Sequence, residues 1–227
     1  MTLADRYESV RARVAAAARR AGRDPGDVTL VAVSKTWPAD VLAEAAEGGV
    51  ALFGENRAQE LKEKHAVLGS RVRWHFVGPL QSNKVRAVVG VAELVHSVDR
   101  YGLAEAIARR ARSLGLVQDV LVEVNVGGEA TKHGVEPAGA VRLAEEVAAL
   151  DGVAVRGLMA IPPRAEDPEA SRPYFRDLAA LRDLVAASVV GAQELSMGMS
   201  GDFEQAIEEG ATIVRVGEAI FGPRRTR

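Results

Sequence analysis

Two runs, Val28-Thr-Leu-Val-Ala-Val33 and Val120-Leu-Val-Glu-Val-Asn-Val126, decide the fold. In each, apolar residues fall on both parities, so both faces of the strand must be buried. Such strands belong to parallel sheets sheathed in helices, whereas a half-exposed strand alternates apolar with polar. Working outward, similar runs occur at Val50–Phe53, Val72–Val77, Leu94–Ser97, Val153–Met159 and Ile213–Val216, with a weaker eighth at Gln193–Ser196. Between them lie segments of helical spacing: Val41, Leu42, Ala45 and Ala46; Ala104, Ile107, Ala108 and Ala111; Val141, Ala144, Val147 and Ala148; Phe175, Leu178, Leu181 and Val185.

Strand then helix, repeated about eight times over roughly 200 residues, predicts an α/β fold, a single (β/α)8 TIM barrel domain over residues 1–227. No G-x-G-x-x-G follows the first strand, which weighs against an open doubly wound sheet. An extra N-terminal helix is expected within residues 1–22. Leu3, Tyr7, Val10, Val14 and Ala17 form one stripe for docking, Thr2 and Asp5 suggest a capping box, and Gly22 with Pro25 marks the stop. Asp5 and Glu8 argue against a transit peptide.

The chain carries 29 Lys plus Arg against 31 Asp plus Glu, a formal charge of −2, and no cysteine. A thiol nucleophile, an iron–sulfur cluster and a thiolate zinc site are excluded, and there is no disulfide framework to suggest secretion. A near-neutral chain has no positive field to hold nucleic acid or an anionic membrane. No stretch free of Asp, Glu, Lys and Arg exceeds ten residues, and a bilayer-spanning helix needs about 20 apolar ones. The expectation is a soluble cytoplasmic protein without nucleic-acid or membrane partners. The basic end Pro223-Arg-Arg-Thr-Arg227 reads as a solvated terminus.

In a parallel barrel, chemistry sits at the carboxyl ends of the strands. Strand one delivers Ser34-Lys35-Thr36, strand two Glu55-Asn56-Arg57, strand five Glu123-Val-Asn125, strand seven Ser196-Met-Gly-Met-Ser200-Gly201-Asp202, and strand eight Arg215-Val-Gly217-Glu218. A lysine at an apolar mouth is desolvated and becomes a better nucleophile toward an aldehyde; a rim lysine with its stem on the barrel fits the position equally well. Ser200 and Gly201, just before a helix expected over Asp202–Glu209, suit a phosphate, and Ser200 or Asp202 acting only as an N-cap fits the same spacing. Gly217 adds a second loop beside the first, where barrels frequently bind phosphate. Arg215 is expected inside the barrel, as a donor or with a buried partner. His75 reads as a packed, hydrogen-bonded histidine, Met159, Met197 and Met199 as packing at the mouth, and Lys132-His133-Gly134 as loop polarity. An amine facing a phosphate cradle is the layout that pyridoxal 5′-phosphate (PLP) needs.

Six segments carry a resemblance in order along the chain: Ala32-Val-Ser-Lys35-Thr, Phe53-Gly-Glu-Asn56-Arg-Ala-Gln-Glu60, Trp74-His-Phe-Val-Gly-Pro-Leu-Gln-Ser-Asn-Lys84, Gly157-Leu-Met-Ala-Ile161, Leu195-Ser-Met-Gly-Met-Ser200 and Val214-Arg-Val-Gly217. Together they resemble the pyridoxal phosphate homeostasis protein family, also called proline synthetase co-transcribed homologues, which is similar to the barrel domain of alanine racemase. The resemblance implies a covalent PLP aldimine at Lys35. It implies a phosphate held by Ser200 and by N–H groups near Gly201, Gly217 and Glu218, an Arg215 facing the pyridine nitrogen, and an Asn56 lining the pocket. Many relatives have Thr or Ser in place of Glu218, so only its backbone N–H is expected to bind, with the carboxylate turned away.

An arginine opposite the ring nitrogen keeps its proton and leaves the ring a weak electron sink. Alanine racemases add a second domain with a tyrosine base; here the chain stops after strand eight, and Tyr7, Tyr101 and Tyr174 fall in expected helices. The implied function is PLP homeostasis, by buffering the cofactor and delivering it to apo-enzymes with little or no catalysis, as a monomer. A PLP-dependent amino-acid racemase of low activity is the alternative. A barrel for a sugar phosphate or nucleotide would leave Lys35 unexplained.

Overall fold

The structure, a computed structural model, describes residues 1–129 and 133–223. Lys132 and the basic end from Arg224 onward lie outside the described residues. Eight parallel strands close in sequence order: β1 (Thr29–Val33), β2 (Leu52–Glu55), β3 (Arg73–Phe76), β4 (Leu94–Val98), β5 (Gln118–Val124), β6 (Val153–Ala160), β7 (Glu194–Ser196) and β8 (Ile213–Val216). Closure comes from β1 lying on β8, Thr29 opposite Ile213 through Ala32 opposite Val216. Every apolar run in the sequence lies on a strand, including the weak eighth. The run 120–126 ends early because the Asn125 N–H leaves the ladder to bond the Val135 carbonyl at 2.9 Å.

Helices α1 (Leu3–Arg20), α2 (Ala39–Glu47), α3 (Ala58–Leu68), α4 (Tyr101–Ser113), α5 (Pro137–Ala148), α6 (Arg172–Ser188), α7 (Phe203–Glu208) and α8 (Glu218–Phe221) pack outside the barrel. The helical repeat is less regular than the sequence suggests. The β3–β4 crossover holds only a 3-10 segment, Ser82–Ala87, and α8 is one turn long. A single turn cannot present an apolar stripe, and α1 supplies one: Leu3, Tyr7, Val10, Val14 and Ala17 are buried, and the helix packs on α7 and α8. The Arg6 Nε donates to the Ile220 carbonyl at 2.7 Å, and Thr2 with Asp5 forms the capping box. The N-terminal helix is therefore part of the barrel wall. No helix among the described residues is long and apolar enough to cross a membrane.

Inside the barrel, Val31, Leu52, Leu94, Leu121, Met159 and Ile213 form a small apolar cluster separate from the large core beneath the helices. These form the floor. Side chains two positions further along a strand share its face, which brings Val33, Gly54, His96, Glu123 and Arg215 into the next layer up. A Cβ added to Gly54 would meet the Val31, Val33 and Val77 side chains, as that layering requires. One more step reaches Lys35, Asn56, Asn125 and Gly217 at the mouth.

Candidate functional site

The middle layer is polar and closed to water. Arg215 is 4% exposed and donates from Nη1 to Ser196 Oγ at 2.5 Å and from Nη2 to the Ala160 carbonyl at 3.0 Å. Ser196 Oγ lies 2.9 Å from His96 Nδ1, and His96 Nε2 lies 3.0 Å from His75 Nδ1. An arginine can only donate, so Ser196 accepts from it, and Ser196 Oγ, His96 and His75 continue as one hydrogen-bonded chain whose ring donors depend on the tautomers. Burial pushes the His75 pKa down to about 4 and His96 well below the usual imidazole value, which keeps both rings neutral near pH 7. Burial lowers Arg215 to about 10, so it stays charged there. The nearby carboxylates Glu123 and Asp202 act on it through space. Burial, aided by Asp99, raises Glu123 to about 7. The partners of Arg215 are thus a hydroxyl and a carbonyl; Glu218 is not among them. His75 is packed and hydrogen-bonded, as its sequence setting suggests.

The mouth assembles around Val33. Gly217 comes so close to it that an added Cβ would lie 3.0 Å from the Val33 carbonyl. Ser200 Oγ accepts from the Gly217 N–H at 3.2 Å and the Ala219 N–H at 3.3 Å, which docks the loop after β7 onto the loop after β8. Asp202 is the N-cap residue of α7, but its side chain makes no capping bond and instead accepts from the Met199 N–H at 2.7 Å and from Ser171 Oγ at 3.0 Å. Ser34 N–H extends the β1 ladder to the Gly54 carbonyl at 3.0 Å, so half-buried Lys35 and Asn56 leave neighbouring strands. The Asn56 Oδ1 is buried with no partner, an acceptor that a ligand in the mouth could engage. Gly201 and Glu218 are exposed at the rim. Lys35 and Asn56 thus leave the exits of β1 and β2, Ser200 docks against Gly217 with Gly201 and Glu218 beside them in the chain, and Arg215 lies one layer below.

The methionines behave differently from the expectation. Met159 lies on the barrel floor, Met197 is in the outer core because it alternates with inward Ser196, and Met199 is 38% exposed. Beside the patch, a cleft of about 500 Å³ opens between the exits of β2, β3 and β4, bordered by Asn56, Arg57, Gln81, Lys84, Arg100 and His133. The residues that sequence reasoning missed are Lys64 and Glu60 of α3. Their i, i+4 spacing reads as a solvated surface pair, yet Lys64 is 5% exposed and reaches under β1.

Residues 6–225 match the family described as alanine racemase, N-terminal domain. A pyridoxal phosphate homeostasis protein of Aquifex aeolicus is 49% identical over 99% of this chain and 100% of its own. The protein of the same name from Pseudomonas aeruginosa is 46% identical over 98% of this chain and 96% of its own. The chain belongs to the pyridoxal phosphate homeostasis protein family. Among solved structures, PipY of Synechococcus elongatus PCC7942 with PLP bound superimposes with a TM-score of 0.84 at 34% identity, covering 97% of this chain and 100% of PipY. The curated relatives are named for cofactor homeostasis rather than for a reaction. The mouth of the barrel carries Lys35 past β1, the unpartnered Asn56 Oδ1 past β2 and the loops after β7 and β8 docked on each other through Ser200.

Proposed function

We propose that this chain holds PLP reversibly as a Lys35 aldimine and takes part in PLP homeostasis, buffering the cofactor and handing it to apo-enzymes. The observation that carries the reading is the close approach of Gly217 to Val33, two residues before Lys35, with Ser200 bonded to the Gly217 loop. The PLP-bound PipY structure supports it.

In this reading Ser200 and the N–H groups of Gly201 and Glu218 bind the phosphate, the Gly217 N–H turns from Ser200 Oγ to join them, Asn56 closes the wall, and Arg215 orients the ring from below. When bound, PLP supplies an aldehyde that condenses with amines and a ring that can accept electron density. Arg215 limits the second property. It remains protonated with a pKa near 10 and only donates, so it gives the ring nitrogen no proton. The three tyrosines lie on helices α1, α4 and α6 rather than on strands, Tyr101 in the first turn of α4 just past β4. Holding is therefore favoured over carbanion chemistry. The same reading makes the protein a cytoplasmic monomer, and sedimentation at rising concentration tests the oligomeric part: a persistent dimer would contradict it.

The decisive experiment is PLP titration followed by borohydride. A yellow chromophore, bleached by reduction and recovered on the peptide containing Lys35, is expected, with loss of the chromophore in Lys35→Ala. A lysine-linked chromophore that survives in Lys35→Ala overturns the assignment. Racemisation of amino acids at an enzyme's rate, abolished by Lys35→Ala, overturns the holding role. Transfer to an apo-enzyme, measured with and without a scavenger of free PLP, separates handover by contact from release.

A further inference from the structure

Lys64 lies on α3, well outside the mouth, and its side chain is only 6% exposed. Its ammonium donates to the Ser34 carbonyl at 2.9 Å, to Glu55 Oε1 at 2.6 Å and to Glu60 Oε2 at 3.1 Å. Those two carboxylates reach onward. Glu55 Oε1 accepts from Ser34 Oγ at 2.6 Å, and Glu60 Oε2 accepts from the Thr36 N–H at 2.9 Å. The residues immediately before and after Lys35 are thus tied, through two carboxylates, to one buried cation.

The backbone between those ties is strained. Thr36 has φ +70°, and it is the one non-glycine residue with positive φ among the described residues. A β-branched side chain is a genuine outlier there and persists only where surrounding contacts over-determine the conformation. Here the Glu60 carboxylate grips the Thr36 N–H, and the Ser34 carbonyl accepts both from Lys64 and from the Trp37 N–H, which closes the turn at 3.1 Å. A buried ion pair is weak evidence of stabilisation, because an apolar replacement of similar size is often neutral or better. What this cluster provides is a fixed geometry. All three ammonium protons are engaged, so Lys64 is no rival amine for an aldehyde.

We propose that Lys64, acting through Glu55 and Glu60, is a positioning residue that locks the Ser34–Thr36 turn and so aims the Lys35 amine into the mouth. The proposal rests on Lys35 being the attachment residue. Without the lock, Thr36 relaxes toward negative φ and Lys35 swings off its line, while the phosphate loops, built on β7 and β8, stay as they are. Formation of the covalent link should suffer and binding of the phosphorylated ring should not.

The test compares wild type, Lys64→Met, Glu60→Ala and Glu60→Gln, using PLP for the link and pyridoxine 5′-phosphate, which lacks the aldehyde, for non-covalent binding. Glu60 is partly exposed, so Glu60→Ala reports even if Lys64→Met does not fold. The expected result is a fall of about tenfold to a hundredfold in the rate of borohydride-trappable attachment for Glu60→Ala and Lys64→Met, up to the size that a misplacement of about 1 Å produces. The pH profile of the chromophore should shift, with pyridoxine 5′-phosphate affinity unchanged. Glu60→Gln, whose amide oxygen still accepts from Thr36, should recover most of the rate. Wild-type attachment rates and pH profiles in the folded variants overturn the proposal, as does a proportional loss of pyridoxine 5′-phosphate binding, which marks a merely structural role. Absence of any Lys35 adduct in the wild type overturns the Lys35 reading first, and is distinguishable because the variants are then not needed.

Discussion

Gly78 shows how little room the mouth leaves for change. A Cβ at this position would lie 2.3 Å from the Asn56 carbonyl oxygen and 2.6 Å from its Cα, atoms of a backbone that cannot swing aside. Gly78→Ala should therefore push the exit of β2 outward, lower stability by about 1–3 kcal/mol as overpacking does, and weaken PLP binding. Thermal melts and a PLP titration check this, and unchanged affinity would show that Asn56 does not line the site. The sequence placed Lys35, Asn56, Ser200 and Gly217 at strand ends because strand ends can be counted. It did not show the role of Gly78, since a close approach between two loops has no signature along the chain.

Helix α7 follows directly from the Ser200 loop, and ionic contacts fix its place. Glu204 meets Arg13 and Arg20 of α1 at 2.7 and 2.8 Å, Glu208 meets Arg172 of α6 at 2.6 Å, and Glu209 meets Arg172 and Arg176 at 3.1 and 2.9 Å. Hydrogen bonding to Arg172 holds the Glu208 carboxyl below its usual pKa, and bonding to Arg176 does the same for Glu209. Both pKa values are depressed on folding, so their contribution is full above the ordinary carboxylate value and is lost as pH falls from there through the depressed ones. Arg172→Ala should free α7 and the Ser200 loop. Faster hydrogen exchange over residues 199–208, strongest at low salt relative to wild type, with strands β1–β6 unchanged, is the expected signature; uniform exchange would sink it. The α1 stripe and cap were legible from spacing because they are local. The wall that α1 joins was not, because it depends on α8 being one turn long.

The buried polar layer spans strands from opposite sides of the barrel, and it governs how the molecule responds to pH. Burial pushes His75 down to about 4 from the ordinary imidazole value of 6.5, so between those values the unfolded chain binds a proton that the folded one refuses. Stability from this histidine, about 3 kcal/mol at 1.36 kcal/mol per unit, is complete above 6.5 and lost as pH falls toward 4; His96 acts in the same direction. Glu123 opposes them. Raised from 4.5 to about 7, it keeps its proton on folding, so its contribution is full below 4.5 and is lost as pH rises to 7, again about 3 kcal/mol. Glu123→Gln should therefore match wild type near pH 4.5 and melt higher at pH 8, by several degrees at about 2–4 °C per kcal/mol. Parallel melting curves across that range would remove the buried-carboxyl account. The chain by itself determined the repeating strands, the barrel class, the N-terminal helix and the polar strand ends, because periodicity and hydrophobic burial act over neighbouring residues. Only the closed barrel decided that Arg215 bonds Ser196, that Glu123 faces Asp99 and Arg215, and that a lysine from α3 grips the Lys35 turn. Those contacts join residues tens of positions apart, and their energies depend on exclusion of water that no local pattern reports.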